Sequence, residues 1–156
     1  MTHEDFMRRA IALSREHMEA GHGGPFGAVV VKDGVIVGEG WNAVTSANDP
    51  TAHAEVMAIR AACRRLATHD LSGAVIYTSC EPCPMCLAAI YWARLDGVYY
   101  ANSRADAAAI GFADSHLYDE IATPLEKRSL RMVCLMGEEA LKVFDGWTAK
   151  PDKKTY

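Results

Sequence analysis

Two short segments carry the residues best suited to chemistry, His53-Ala54-Glu55 and Pro82-Cys83-Pro84-Met85-Cys86. Cys83 and Cys86 are three residues apart, so on the first turn of a helix both thiols face the same side and can bind one metal ion. His53 can complete a set of three ligands, and catalytic zinc sites combine three protein ligands with a fourth position for water. We therefore predict one zinc ion per subunit, bound by His53, Cys83 and Cys86.

Glu55 is placed to move protons at such a site. It follows His53 by two residues on a predicted helix, so it cannot bind the metal from the same direction. A carboxylate there can accept a proton from water at the metal and deliver it to a leaving group, which is typically worth about 10²- to 10⁴-fold in rate. The order His-x-Glu and then Pro-Cys-x-x-Cys is also the signature of zinc-dependent deaminases.

The clustered cysteines leave two other interpretations open. Cys80 could supply a fourth ligand and close a purely structural zinc site, although Glu55 would then have no task. Cys83 and Cys86 could instead form a redox-active thiol pair, which would leave His53 and Glu55 unexplained. The two remaining cysteines, Cys63 and Cys134, lie among apolar residues and are expected to be core thiols.

Periodicity and turn signals predict the elements that must position these residues. Thr2 and Asp5 resemble a capping box for a first helix that ends near Gly21, and Asp49-Pro50 predicts a second helix start. The predicted elements after the first helix are the hairpin strands 28–32 and 35–37, the helices 51–66 and 83–93, the strands 74–78 and 97–101, helices at 106–110 and 138–147, and a strand at 131–135. Strand, helix and strand over 74–101 imply a parallel crossover, so the fold class is α/β with a mixed sheet covered on both faces.

Length and charge limit the class of protein. The 156 residues suffice for one domain with a proper core, and 20 acidic against 16 basic side chains give a formal net charge of −4. The basic residues occur as scattered pairs, so DNA and RNA are unfavourable partners and a small substrate is favoured. An acidic N-terminus and the lack of an apolar run of about 18 residues argue against a signal peptide and a membrane helix, so we expect a cytoplasmic protein.

Longer motifs resemble the cytidine deaminase-like superfamily and, more narrowly, the small bacterial guanine deaminases. The resemblance covers nearly the whole chain. The segments that carry it are Gly24-Pro25-Phe26-Gly27-Ala28-Val29, Val31-Lys32-Asp33-Gly34, residues 48–56, residues 78–87, Ile90-Tyr91-Trp92-Ala93-Arg94, and Gly111-Phe112 with Asp114. The chain departs from the family pattern at Ala88, where glycine is common, and at Ala113, where an acid is common.

This resemblance implies both a fold and a reaction. The fold is a three-layer α/β/α cytidine deaminase-like domain with a mixed central sheet, over residues 1–147. The reaction is the hydrolytic deamination of guanine to xanthine and ammonia, with Glu55 as proton shuttle and a place in purine catabolism. The resemblance also implies the residues that bind or act on the substrate, namely Phe26, Asn42, the Ala54 backbone, Trp92, Phe112, Tyr156, and Asp114 as a second catalytic carboxylate.

The C-terminal segment 148–156 has two interpretations. Its polar, proline-containing sequence alone favours a frayed end. The resemblance instead implies a homodimer with exchanged C-terminal segments, in which the segment ending in Tyr156 covers the partner's active site. Four other assignments also keep simpler alternatives: Asp114 as a surface residue or helix cap, Asn42 as a turn former, and Phe26 and Trp92 as core aromatics.

Other functions remain open beside guanine deamination. The same zinc chemistry could act on another amino-heterocycle, such as guanosine, ammeline or cytosine, or on adenosine in transfer RNA. The acidic net charge and the lack of a basic tail count against transfer RNA. A protein of a different class would use zinc only to stabilise a dimerisation module and would have no catalytic activity.

Overall fold

Four strands form the centre of the fold, in the spatial order β2-β1-β3-β4. Their bounds are β1 (Gly27–Lys32), β2 (Val35–Trp41), β3 (Ala74–Cys80) and β4 (Gly97–Asn102). β1 pairs antiparallel with both β2 and β3, whereas β3 and β4 are parallel. The hairpin turn places both Asp33 (φ 51°) and Gly34 (φ 74°) in the left-handed region, as a two-residue type I′ turn requires. The predicted mixed sheet with a parallel crossover is confirmed.

Seven α-helices accompany the sheet in the computed structural model, which describes all 156 residues. They are α1 (His3–Glu19), α2 (Val44–Ala47), α3 (Ala54–Leu66), α4 (Pro84–Trp92), α5 (Arg104–Ala109), α6 (Ser115–Ala122) and α7 (Gly137–Ala149), with a 3-10 turn at Leu125–Lys127. The chain forms two compact units, Met1–Asp114 and Ser115–Tyr156. This division falls earlier than the boundary at 147 predicted from the sequence, and the lid at 148–156 stays a prediction. No helix combines the length and the apolar character needed to cross a membrane.

The central strands β1 and β3 bury both of their faces, which produces the three layers. Along β1 the side chains alternate, so that Ala28 and Val30 face one apolar cluster while Val29 and Val31 face another. The first cluster includes residues of α3 and α4, such as Ala58 and Ile90, and the second is built with α1. Helices therefore cover the sheet on both sides, as the α/β/α expectation requires.

Helix α3 begins later than the sequence predicted. The carboxylate of Asp49 accepts hydrogen bonds from the backbone N–H of Thr51 (2.8 Å) and from the Thr51 hydroxyl (2.7 Å). It therefore closes a local turn instead of capping a helix, which is the usual competition offered by aspartate side chains. The helix starts at Ala54, and His53 becomes its N-cap residue. His53 therefore lies at the N-terminal end of the helix and not within it.

The unit Ser115–Tyr156 differs most from the sequence prediction. Residues 131–135, predicted as a strand, pair with no other strand, and Cys134, predicted as a core thiol, is exposed. Helix α6 was not predicted. No residue of this unit is buried within a single chain. Its exposed apolar side chains are Leu117, Ile121, Leu125, Leu130, Met132, Val133, Leu135, Met136, Leu141, Val143, Phe144, Trp147 and Tyr156.

Two glycines of β2 allow α3 to lie directly against the sheet. A Cβ atom added at Gly40 would lie 2.2 Å from the carbonyl oxygen of Ala54 and 2.3 Å from the backbone nitrogen of Ala58. At Gly38 an added Cβ would lie 2.3 Å from the carbonyl oxygen of Ala58. Backbone atoms cannot move aside as a flexible side chain can, so the position of α3 depends on these two glycines.

We expect Gly40→Ala to lower the free energy of unfolding by about 1–3 kcal/mol, because the added methyl group overpacks the contact between β2 and α3. Urea denaturation followed by circular dichroism measures this change. Gly97→Ala is the matched control, since its Cβ would meet only the Val75 side chain at an ordinary 3.6 Å. Equal midpoints for both variants would contradict the close-packing argument.

Candidate active site

The predicted metal ligands meet where two helices begin. His53 is the N-cap residue of α3, Cys83 is the N-cap residue of α4, and Cys86 lies in the first turn of α4. The Nδ1 atom of His53 is 3.5 Å from the sulfur of Cys83 and 3.5 Å from the sulfur of Cys86. All three donor atoms lie within 4.8 Å of one another.

This spacing fits a tetrahedral zinc ion. Bonds of about 2.0–2.1 Å to nitrogen and about 2.3 Å to sulfur separate the two donor atoms by roughly 3.6 Å when the angle is tetrahedral. The observed 3.5 Å separations match that value. Two thiolates and one imidazole are also the kind of donor set that favours zinc.

Cys80 does not join the donor cluster. Its thiol donates to the carbonyl oxygen of Ser103 at 3.7 Å, and burial raises the pKa of Cys80 to about 11. A protonated, buried thiol bonded elsewhere is a poor metal ligand. The geometry therefore favours the open site of three ligands over the closed site of four that the sequence left as an alternative.

The donor cluster contains a charged group even without a bound cation. A hydrogen bond from the Cys86 thiol lowers the pKa of Cys83 to about 4, and His53 contributes in the same direction. The same contact raises the pKa of Cys86, because its proton is held by the neighbouring thiolate. The hydrogen bond to Cys83 also raises the pKa of His53. A divalent cation would displace the protons of Cys86 and His53, so metal binding here releases protons.

Glu55 is a carboxyl group enclosed by protein. Only 6% of the residue is exposed, and its side chain shares a hydrogen bond with the Cys86 thiol. Burial raises the pKa of Glu55 above that of an exposed glutamate. A carboxyl group with a raised pKa beside a cluster of candidate metal ligands is suited to accept and release a proton.

Asn42 lies directly after β2 with its carboxamide fixed. Its Oδ1 atom accepts hydrogen bonds from the backbone N–H groups of Gly24 and Val44, both at 3.2 Å. The oxygen is therefore occupied, and the amide NH2 is the part that can donate to a ligand. The residue is 7% exposed and makes a backbone bond to the carbonyl oxygen of Phe26 at 3.0 Å.

Backbone contacts connect Asn42 to the start of α3. The N–H of Ala43 donates to the carbonyl oxygen of Ala52 at 3.0 Å, two residues before the buried Ala54. The turn after β2 and the N-terminus of α3 therefore form one end of the first unit. Among the predicted substrate-binding residues, Asn42, Ala54 and Phe26 are brought together by this network.

Phe112 extends the same group of residues. The ring of Phe112 packs edge-on against Phe26, with ring centres 5.0 Å apart and an interplanar angle of 88°. Asp114 follows two residues later, and its Oδ1 atom lies 3.7 Å from Nε of Arg104. Its side chain is only 17% exposed, which argues against the simple surface aspartate that the sequence left open.

Trp92 and Tyr156, two further predicted substrate residues, are exposed in the chain. Trp92 is the last residue of α4 and is 68% exposed, whereas Cys83 and Cys86 lie at the opposite end of this helix. Trp92 follows Cys86 by six positions, which corresponds to about 9 Å along the helix axis. Tyr156 belongs to the second compact unit and is exposed.

The sequence prediction missed the role of Gly23. A Cβ atom added at this position would lie 2.2 Å from the carbonyl oxygen of Asn42 and 2.5 Å from its Oδ1 atom. Any side chain here would displace the carboxamide. The run Gly23-Gly24-Pro25 was the available signal, because adjacent glycines often mark a close approach of backbone. The need for Arg104 beside Asp114 left no signal in the local sequence.

Comparison with known proteins agrees with this geometry. Residues 1–102 match the family described as the Cytidine and deoxycytidylate deaminase zinc-binding region. The chain belongs to this family. The matched region contains all three donor residues and Glu55.

Individual relatives extend the match to the whole chain. Guanine deaminase from Bacillus subtilis (strain 168) is 53% identical over 156 residues, which is 100% of both chains. A solved structure of guanine deaminase from Bacillus subtilis covers 100% of this chain and 99% of its own, with a TM-score of 0.97.

Other relatives cover less. Guanine deaminase from Nitrosomonas europaea is 34% identical in a solved structure, with a TM-score of 0.69 over 72% of this chain and 65% of its own. The tRNA-specific adenosine deaminase of Aquifex aeolicus (strain VF5) is 41% identical over 65% of this chain and 66% of its own. The part that the family model matches, residues 1–102, contains the four strands and the helices α3 and α4.

Cys86→Ala should lose zinc, whereas Cys80→Ala should retain one zinc ion per chain, because only Cys86 lies in the donor cluster. We expect the Cys86 variant to weaken zinc binding by more than the about 10- to 100-fold that loss of an outer-shell partner costs. Elemental analysis after dialysis against a competing chelator measures both. Loss of zinc from Cys80→Ala would indicate the closed, structural site.

Proposed function

We propose that this chain deaminates guanine to xanthine and ammonia. The observation that carries the substrate is the similarity to guanine deaminase over the full length of both chains, at 53% identity. The observation that supports the reaction is the buried carboxyl of Glu55 beside a set of donors with zinc spacing. Neither the redox interpretation nor the silent module accounts for Glu55.

The reaction replaces an amino group by oxygen. Zinc held by His53, Cys83 and Cys86 would supply the Lewis acidity that makes water a nucleophile at neutral pH. Glu55 takes one proton from the water as its oxygen adds to C2 of guanine, and gives that proton to a ring nitrogen. The carboxyl then moves a second proton from the hydroxyl now on C2 to the amino group, the C2–N bond breaks as the carbonyl of xanthine forms, and ammonia leaves. A carboxyl group with a raised pKa serves both directions of this transfer.

The remaining residues of the site bind and orient the purine. The amide NH2 of Asn42 donates to a purine acceptor while its oxygen stays bonded to the backbone. The edge-on pair Phe26 and Phe112 supplies aromatic surface, and the Ala54 backbone lies beside Glu55 at the start of α3. Asp114, held near Arg104, acts as a second carboxylate at the amino group.

We further propose that the active form is a homodimer with exchanged C-terminal segments. The unit Ser115–Tyr156 buries none of its many apolar side chains within one chain, and so large an apolar surface is typical of an interface. In the first unit, β4 is an edge strand and carries the exposed Tyr99 and Tyr100. In such a dimer Tyr156 serves the partner's site.

Adenosine in transfer RNA is the competing substrate. The tRNA-specific relative matches only 65% of this chain, and the net charge of −4 does not favour a polyanion.

We also propose a cytoplasmic setting and a place in purine catabolism. All five cysteines are free thiols, and a site that needs Cys83 and Cys86 as metal ligands is suited to a reducing compartment.

Glu55→Gln should reduce xanthine formation by at least about 10²-fold while zinc content is unchanged, because glutamine keeps the shape but cannot carry the proton. Xanthine absorbance with guanine as substrate provides the rate. Glu19→Gln, which removes an exposed carboxylate at the end of α1, is the matched control and should behave as wild type. Near-wild-type turnover by Glu55→Gln would remove Glu55 as the proton shuttle.

A subunit-mixing experiment tests the exchanged C-terminal segment. One subunit carries Glu55→Gln with an intact C-terminus, and the other lacks residues 153–156 but keeps Glu55. Each variant alone should be nearly inactive. Co-expression should restore about a quarter of wild-type turnover, because about half of the dimers are mixed and each has one complete site. No recovery in isolated mixed dimers would exclude exchange of this segment.

A further inference from the structure

Two histidines outside the proposed metal site form a direct ring-to-ring contact. His17 lies in the last turn of α1, and His22 lies in the glycine-rich loop that follows. Their Nδ1 atoms are 2.8 Å apart and their ring centres are 5.1 Å apart. The ring centres are farther apart than the nitrogens by two ring radii, so both nitrogens lie on the line between the centres. This is the geometry of an N–H···N hydrogen bond, which requires an unprotonated Nδ1 on one ring.

The His17 end of this contact is held by the sheet. Its imidazole stacks on Trp41, the last residue of β2, with ring centres 3.6 Å apart and an interplanar angle of 2°. Trp41 directly precedes Asn42. The stacked ring therefore has a fixed position relative to the residue that we propose as a purine ligand.

The His22 end belongs to the loop that surrounds Asn42. The carbonyl oxygen of His22 accepts a hydrogen bond from the Ser46 hydroxyl at 2.6 Å, and its N–H donates to the carbonyl oxygen of His17 at 2.9 Å. The next two residues are Gly23, which leaves no room for a Cβ against Asn42, and Gly24, whose N–H donates to Asn42 Oδ1. A shift of this loop would therefore move the carboxamide.

We propose that the His17–His22 pair is a positioning device that holds residues 21–26 against Asn42 and thereby sets the affinity for the purine. The proposal rests on the proposed function, because it takes Asn42 as a purine ligand. Neither histidine contacts the substrate. The pair acts through the loop, so its loss changes KM and leaves the chemical step intact.

The pair responds to pH in a defined direction. When both rings are protonated, each Nδ1 carries a hydrogen and the N–H···N bond is lost, while two positive charges face each other. Burial, and next the charge of His22, lower the pKa of His17; Arg9 lowers it too, whereas Glu16 and Glu39 raise it. The folded state therefore favours a neutral His17. The contact is intact above the ordinary histidine pKa of about 6.5 and is lost only at lower pH, as His17, whose pKa is lowered, takes up its proton.

His22→Ala and His22→Asn separate this role from general stability. The asparagine side chain can place a polar atom near the position of Nδ1 but does not titrate. At pH 8 we expect His22→Ala to raise KM for guanine about 3- to 10-fold, the equivalent of one hydrogen bond, with kcat within about twofold of wild type. His22→Asn should be close to wild type. Between pH 8 and about pH 5, a window that extends below the ordinary histidine pKa, KM should rise for wild type and stay constant for His22→Asn.

Hydrogen–deuterium exchange supplies a readout that needs no substrate. The amides of Gly24 and Phe26 are bonded to Asn42 Oδ1 and to the Gly24 carbonyl, so a peptide covering residues 21–26 should exchange faster in His22→Ala. His69→Ala, which removes an exposed imidazole after α3, is the matched control and should change neither exchange nor KM.

The outcomes are distinguishable. If wild type turns over guanine and His22→Ala leaves either loop exchange or KM unchanged, the proposal is overturned. A fall in kcat without a change in KM also overturns it. If wild type does not turn over guanine, the proposed function fails together with the affinity role, and the exchange data alone decide whether the pair holds the loop.

Discussion

The structure depends on one contact between two helix N-termini. The imidazole of His53 at the start of α3 and the thiols of Cys83 and Cys86 at the start of α4 have their donor atoms within 4.8 Å of one another. His53 and Cys83 are N-cap residues, so neither takes part in the regular turns of its helix. Each helix must therefore begin at the correct residue, and the two helix axes must be oriented so that the donor atoms face one another. The parallel pair of β3 and β4 positions α4, and the glycines of β2 position α3 close to the sheet.

This contact places titratable groups inside the protein, and their burial costs free energy. Glu55 is almost fully enclosed, and burial raises the pKa of its carboxyl. A protein selected for stability alone gains little from a titratable group in that position. The helix N-termini offset part of the cost, because their free N–H groups favour thiolate and carboxylate. Such perturbed groups are typical of sites that transfer protons.

The sequence predicted most of this centre and little of what lies around it. The donors follow from the Cys-x-x-Cys spacing and from helix-start signals, which are local and strong. The start of α3 was misplaced because Asp49 can either cap a helix or close a turn, and only the surroundings decide which. The run of glycines at Gly23 signals a close approach of backbone, but its contact with Asn42 joins residues far apart in the chain, so no local pattern identifies the partner. The segment 131–135 has strand-like composition but finds no strand partner within one chain, which composition alone could not predict.

The substrate that we assign to the donor cluster and Glu55 is guanine in particular. The most direct measurement is ammonia release by the purified, zinc-loaded protein on guanine, guanosine, adenine, cytosine, cytidine and ammeline, each with Glu55→Ala as control. We predict release from guanine alone, abolished by the substitution. Glu55-dependent ammonia release from another of these compounds, with none from guanine, would contradict the substrate assignment. Ammonia release from none of the compounds would contradict the assignment of deaminase activity.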